Sequence, residues 1–247
     1  MQSIAVIGGT GVSGLNNLEW HAEHEVETPY GSPSRLIQEG RLNGVKVYFL
    51  QRHGSPAAIP PHRINYRANL WALQSLGASA IVAINAVGGI SRAMQTGRLL
   101  LPDQIIDYTW GREHTFDEGV DGSLLHIDFT EPYDRALRHD LLAAADDVSI
   151  ELAAAGVHGV TQGPRLESAA EIRRMARDGC DVVGMTGMPE AALSRELNIP
   201  YAAVCMVVNA AAGLGDVPLT LDAMREILQR EAEVVGLLLQ SLVHRRK

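Results

Sequence analysis

Residues 79–89 read SAIVAINAVGG. From Ser79 to Val87 the run is apolar apart from its opening serine and one amide, Asn85. A continuous apolar stretch of this length fits a strand covered on both faces, as in a sheet with helices on each side. The segment before it, NYRANLWALQSL (65–76), places Ala68, Leu70, Trp71, Leu73 and Leu76 at spacings of three and four, and Gly77 comes next. That pattern predicts a helix closed by glycine. Further upstream, SIAVI (3–7) runs into Gly8-Gly9 as a short buried strand entering a turn. Segments 34–42 and 45–51 are split by Asn43-Gly44, the strongest short-range signal for a hairpin.

Downstream the alternation continues. Strands are expected at 103–108, 158–162, 181–184 and 201–208. Helices are expected at 134–155, 168–178 and 188–197, with a last amphipathic helix from about Thr220 to His244. Residues 110–133 are polar and irregular, a length of loop that often carries function. Strands alternating with helices predict an α/β fold, and the hairpin makes the sheet mixed. The expectation is one domain over 1–247, a mixed, partly parallel, twisted sheet flanked by helices.

Composition narrows the function classes. Of 247 residues, 46% are hydrophobic and 20% charged, which excludes a disordered chain. With 3 Phe and 3 Trp the core must be aliphatic. A net charge of −8 argues against non-specific nucleic-acid or anionic-membrane binding, but not against a small anionic substrate. The N-terminus, MQSIAVIGG, has no basic region ahead of its short apolar run and does not read as a signal peptide. No stretch approaches the roughly 20 apolar residues of a membrane span. Cys180 and Cys205 both sit in apolar runs and read as buried reduced thiols. The expected setting is the cytoplasm.

Five segments carry chemistry. Gly9 to Gly14 spells G-x-G-x-x-G after a strand, which suits a dinucleotide site, a plain tight turn, or a nest of backbone N–H groups for an anion with the Thr10 hydroxyl added. The next stretch, LNNLEWHAEHEVETPYG, has no clean helical stripe, as a dinucleotide site would need. Arg52-His53-Gly54 ends the second hairpin strand and offers a fixed fork of donors. Asn85 to Gly89 ends the central strand in small residues that admit a close ligand. Gly163-Pro164-Arg165-Leu166-Glu167 precedes a helix, and Met185-Thr186-Gly187-Met188-Pro189-Glu190 joins a strand to one. Asn209 is a polar stop after CMVV. Taken singly, each has an ordinary structural explanation, such as a core methionine or a helix cap. Several strand ends converging on one crevice are what a ligand site needs. The chain has no Walker loop, H-E-x-x-H, C-x-x-C or G-x-S-x-G, and its nine histidines are scattered.

In order along nearly the whole chain, GGTG (8–11), RHG (52–54), NYRANLWAL (65–73), NAVGG (85–89), GPRLE (163–167) and MTGMPEAALSRE (185–196) resemble the trimeric purine nucleoside phosphorylase and methylthioadenosine phosphorylase family. Within it, MTGMPEAA with NAVGG looks most like the bacterial branch that cleaves methylthioinosine. The resemblance implies a homotrimer that carries out reversible phosphorolysis, with inorganic phosphate as co-substrate and no cofactor or metal. It implies that Thr10, Arg52, His53, Ala86 and Thr186 hold phosphate. Met185 would pack on the ribose, with Asn85 nearby in a position often held by Thr. Glu167 and Asn209 would face the base, and these two with His53 are the candidate catalytic groups. His126 would complete a neighbouring subunit's site near the 5′ group. Phosphate is itself the nucleophile in such a reaction. No Ser, Cys or Asp nucleophile is then needed, and the protein works by orientation and electrostatics.

Specificity follows from the donor and acceptor inventory. An ionised Glu167 only accepts, so it suits the N1–H of hypoxanthine rather than the bare N1 of adenine. Asn209 can donate to O6 or N7. Adenine-preferring relatives carry Asp at the positions of Asn209 and Ala211, and both acids are absent here. Segment 217–225, VPLTLDAMR, lacks the histidine that would meet a 5′-hydroxyl and offers Leu221 and Met224 instead. The favoured substrate is 5′-methylthioinosine. The alternatives are inosine or guanosine, methylthioadenosine, and, from a different class, a dinucleotide-binding module on the Gly9–Gly14 loop.

Overall fold

The computed structural model describes residues 3–9, 18–56, 58–120, 122, 124–215 and 221–246, with side chains described from residue 227 onward in the last span. Thr10 and the rest of the 10–17 loop lie outside the described residues, as do the side chains of Leu221 and Met224.

The chain begins with β1 (Ser3–Gly8), then β2 (Glu19–His24), β3 (Ile37–Leu42) and β4 (Val45–Gln51). Leu42 pairs with Val45 across Asn43 and Gly44, both at positive φ (52° and 86°), as a two-residue hairpin turn requires. Helix α1 (Tyr66–Ser75) starts where the Asn65 side chain accepts from the Ala68 N–H, and Gly77 lies just past its end at φ 86°. Next come β5 (Ala80–Gly89), β6 (Leu99–Leu100), β7 (Gln104–Asp107), α2 (Arg135–Asp147), β8 (Leu152–Ala153) and β9 (Val157–Val160). The chain finishes with α3 (Ala169–Arg177), β10 (Val182–Gly184), α4 (Gly187–Glu196), β11 (Tyr201–Ala210) and α5 (Leu221–Arg245). Helix α3 carries a full capping box between Ser168 and Glu171.

One 11-stranded mixed sheet results, with a path β2-β3-β4-β1-β5-β10-β9-β7 and with β11, β6 and β8 branching from β5. Both faces are covered. On one, Val6, Val82 and Val204 pack against Leu141 of α2 and Leu238 of α5. On the other, Ile7, Ile81 and Ala203 pack against Leu70 and Leu73 of α1 and Leu193 of α4. This is why β5 and β11 read as unbroken apolar runs.

The central strand changes partner midway. Its first half pairs with β1 up to Ile7↔Ala83, and its tip pairs with β10 at Gly88↔Val183. The opposite edge stays on β11 throughout. Between Ala83 and Gly88 the first edge therefore has no strand partner among the described residues, and a crevice opens there. Switch points of this kind are where ligands bind in open α/β sheets.

Three expectations need correction. The helix expected over 134–155 stops at Asp147. Ser149 takes a positive φ (55°), and Leu152-Ala153 pairs with β6 instead, so sheet pairing overrides the alanine-rich helical preference of 151–155. Strand β2 has no counterpart among the expected elements. It is a polar, largely exposed edge strand (EWHAEH), antiparallel to β3. Strand β6 likewise has no counterpart among the expected elements. The first described element after β1 is the antiparallel edge strand β2, and residues 10–14 of the glycine-rich segment lie outside the described residues. Among the described residues no helix is long and apolar enough to cross a membrane. Cys180 and Cys205 are buried and unpaired, and burial pushes the Cys205 thiol up to about 12.

His158 of β9 is fully buried, its Nδ1 3.4 Å from the Tyr133 hydroxyl and 3.9 Å from Cys205 Sγ. Burial, with the nearby charge of Arg52, lowers its pKa to about 4. The folded state thus keeps the ring neutral while the unfolded chain takes up a proton below about 6.5. Stability is then complete above that pH and is lost as pH falls towards 4, by on the order of 3 kcal/mol. Urea unfolding from neutral pH to pH 4 should show the wild type losing stability relative to His158→Gln; parallel curves contradict this.

Candidate active site

A cavity of about 260 Å³ opens at the gap beside β5. Arg52 and His53 reach it from the end of β4, Gly9 from the end of β1, and Ala86 to Gly88 from β5 itself. Met185 and Thr186 reach it from the β10–α4 junction, and Pro164, Leu166 and Glu167 from the loop before α3. Asn209 and Ala211 come from the end of β11. Leu228 of α5 and Val208 add apolar wall that the sequence did not single out.

Arg52 comes directly after the last residue of β4, and its backbone N–H still donates to Gly8 O. Its side chain is 0% exposed. Nε donates to Glu190 Oε1 at 2.5 Å and Nη2 to Oε2 at 2.9 Å, a two-pronged pair with a carboxylate that is also 0% exposed. Nη1 donates to the Ile84 carbonyl at 3.2 Å, just past the point where β5 leaves β1. Burial alone would lower the guanidinium pKa, but the facing carboxylate more than offsets this and raises it, so the cation is secure. The Tyr201 hydroxyl donates to Glu190 Oε2 at 3.1 Å. Glu190 lies in the quoted MTGMPE segment. A single acid flanked by Pro189 and two alanines at the start of a buried helix is the trace it leaves in the sequence.

His53 Nδ1 lies 2.8 Å from the Ile59 carbonyl. A carbonyl only accepts, so Nδ1 carries the hydrogen and Nε2 presents a lone pair. Burial lowers the His53 pKa, and the charge of Arg52 adds to this, so the ring is neutral at pH 7. Thr186 precedes α4 but makes no side-chain cap. Its hydroxyl instead donates to Asn85 Oδ1 at 3.2 Å. Asn85 is therefore buried behind Thr186 and orients it, rather than lining the cavity.

Glu167 Oε1 accepts from the Thr161 hydroxyl at 2.6 Å, which anchors the carboxylate at the cavity wall. Asn209 sits at a register shift in the β5–β11 pairing, between Val207 and Asn209. A bulge there re-aims a side chain, and Asn209 turns to the cavity with Nδ2 donating to the Ala210 carbonyl. A Cβ on Gly88 would come within 3.3 Å of this Nδ2. His126 is exposed and lies outside this cavity.

The arrangement offers a guanidinium, a neutral imidazole and a hydroxyl from one set of strand ends, and a carboxylate and an amide from another. Over residues 3–244 the chain matches the family model described as "Phosphorylase superfamily".

The chain belongs to the phosphorylase superfamily.

It is 56% identical over 214 residues to the "Probable S-methyl-5'-thioinosine phosphorylase" of Xylella fastidiosa, covering 87% of this chain and 90% of that protein. It is 45% identical over 240 residues to the "Probable 6-oxopurine nucleoside phosphorylase" of Dictyoglomus turgidum, covering 97% and 90%. Methylthioadenosine phosphorylase from Schistosoma mansoni in complex with adenine superposes with a TM-score of 0.94 at 31% identity, covering 99% of this chain and 91% of that one.

Gly9 marks how tightly this phosphorylase site is built. A Cβ there would sit 2.7 Å from the Ile84 carbonyl and 2.9 Å from Arg52 Nη1. Gly9→Ala must push the guanidinium away, at a cost of about 1–3 kcal/mol. Urea unfolding should show the variant less stable by that amount. Unchanged stability contradicts the close approach as a requirement.

Proposed function

We propose that this phosphorylase cleaves S-methyl-5′-thioinosine with inorganic phosphate, giving hypoxanthine and 5-methylthioribose 1-phosphate. The observation that carries the reading is one cavity bringing Arg52, His53 and Thr186 together with Glu167 and Asn209 around Met185. In this reading phosphate lies against the Arg52 fork and the Ala86 backbone, and the Thr186 hydroxyl turns from Asn85 to donate to it; Thr10, outside the described residues, is a further contact that the family resemblance implies. The neutral His53 accepts a hydrogen from the phosphate hydroxyl, which directs a bare oxygen at the anomeric carbon. The C1′–N9 bond breaks and a C1′–O bond forms, so the bonding pair passes to the purine, which takes up a proton. Glu167 accepts from N1–H, and the second N–H of Asn209 meets O6 or N7, where charge develops. Phosphate is the co-substrate, and the reaction needs no further cofactor.

The 5′ substituent decides between nucleosides. Leu228 and Val208 give the cavity apolar wall suited to a thiomethyl group, and segment 217–225 offers no histidine to a hydroxyl. Leu221 and Met224, whose side chains lie outside the described residues, remain candidates from the family resemblance alone. A hydroxyl buried without a partner costs about 1–3 kcal/mol, enough for tenfold discrimination against inosine. We assign a homotrimer in which His126 reaches the 5′ region of a neighbour's site. Its exposure, next to exposed Leu124 and Leu125, supports this. The unpaired thiols support a reducing cytoplasm as the setting.

A base-release assay with methylthioinosine, methylthioadenosine, inosine and guanosine, with and without phosphate, tests the proposal. Release should require phosphate and be most efficient with methylthioinosine. A kcat/KM for inosine equal to that for methylthioinosine overturns the 5′ reading. The double variant Glu167→Ser with Asn209→Asp should lower the preference for 6-oxopurines over adenine nucleosides at least about tenfold. An unchanged preference removes these two residues from base selection.

A further inference from the structure

Arg112 is 8% exposed and, among the described residues, has no carboxylate within ion-pair distance. Its charge is met by backbone instead. The two N–H groups of Nη1 are shared among three acceptors: the carbonyls of Met188 at 2.5 Å and Met185 at 2.9 Å, and the Tyr66 hydroxyl oxygen at 3.1 Å. Nη2 donates to the carbonyls of Thr161 at 3.1 Å and Gln162 at 2.9 Å. Nε donates to the Gln162 side chain at 3.2 Å, which also accepts from the Trp110 N–H. A buried guanidinium held by neutral oxygens, with no carboxylate bonded directly to it, is costly, and burial lowers its pKa despite the more distant charges of Asp107 and Glu190.

The carbonyls it binds belong to two segments. Thr161 and Gln162 lead into the loop that ends at Glu167, and Thr161 itself holds Glu167. Met185 and Met188 flank Thr186. These segments meet directly at Thr161 and Gly184, where the Thr161 N–H donates to the Gly184 carbonyl at 2.8 Å. Beyond that point they diverge, and Arg112 spans them. A planar fork with five fixed donors can bridge two such segments; a lysine, with three donors on one nitrogen, cannot do so equally.

We infer that Arg112 is a positioning residue that locks the base-facing Thr161–Glu167 loop and the phosphate-facing Met185–Met188 loop into one geometry. The inference rests on the phosphorolysis reading for its effect on turnover, but not for its effect on the loops. A misplacement of about 1 Å at a reacting centre costs about 100-fold in rate. Arg112→Ala should therefore lower kcat about 100-fold, beyond any change in the KM for phosphate or nucleoside. Millimolar guanidinium should restore part of that loss saturably by filling the vacated site, whereas sodium chloride at equal ionic strength should not.

Amide hydrogen exchange supplies the readout that needs no turnover. Residues 161–167 and 185–190 should both exchange faster in Arg112→Ala and slow again with guanidinium, while the sheet amides of β1 and β5 stay unchanged. Arg112→Lys should protect one segment more than the other. The inference is overturned if kcat stays within threefold of wild type, if guanidinium restores nothing, or if the two segments keep wild-type exchange. Wild-type enzyme inactive on every nucleoside in the panel overturns the phosphorolysis reading instead, and the exchange result still decides the role of Arg112.

Discussion

Arg52 and Glu190 form an ion pair with no exposure to solvent, 138 residues apart in sequence. Two charges taken from water cost several kcal/mol each, and only good geometry with further hydrogen bonds compensates. Here both conditions hold. The guanidinium meets the carboxylate with two parallel bonds, Tyr201 adds a donor to Glu190, and the Ile84 carbonyl takes a third bond from Arg52. Three of the five guanidinium donors are used in this way, leaving one on each Nη for a ligand. The pair therefore fixes a permanently charged group at the cavity wall, in an orientation set by the protein itself.

The sheet explains why the pair sits where it does. Strand β5 leaves β1 after Ala83 and joins β10 at Gly88, and the carbonyl of Ile84 falls in the space between. Arg52 occupies that space, and the close approach requires glycine at position 9. Gly89 serves the same purpose at the other end of the gap, where a Cβ would lie 1.8 Å from the Met94 carbonyl. Helices on both faces keep the strands dry, so the gap is the place where polar groups can meet a ligand. Arg112 then does for the loops above the gap what Arg52 and Glu190 do for its floor.

Much of this was legible in the residue order. The apolar run 79–87 and the Asn43-Gly44 turn announced the mixed α/β sheet, because strand burial and turn conformation are local properties of sequence. Arg52, His53, Ala86, Glu167, Met185, Thr186, Asn209 and Ala211 all line one cavity, as convergent strand ends suggested. Other features left little local trace. Strand β2 is polar and at the edge, so it has no apolar period to read. The β6–β8 bridge exists only through pairing between segments distant in the chain, Leu99-Leu100 with Leu152-Ala153. Most partners of Arg112 are backbone carbonyls, and every residue has one, so little in the side-chain pattern could mark them. The glycine-rich segment was ambiguous because its meaning depends on the element that follows it in the chain.

Glu190 holds Arg52 in its buried pose at the cavity wall, the pose that the proposed phosphate contact requires. A double-mutant cycle with Arg52→Met and Glu190→Leu, read by unfolding free energy and by phosphate affinity, tests it most directly. Each single variant strands a buried charge and should lose about 3–5 kcal/mol, while the double variant should recover most of that stability. Phosphate affinity should be lost in all three. Additive losses of stability, or a Glu190→Leu variant that binds phosphate as the wild type does, would contradict the account.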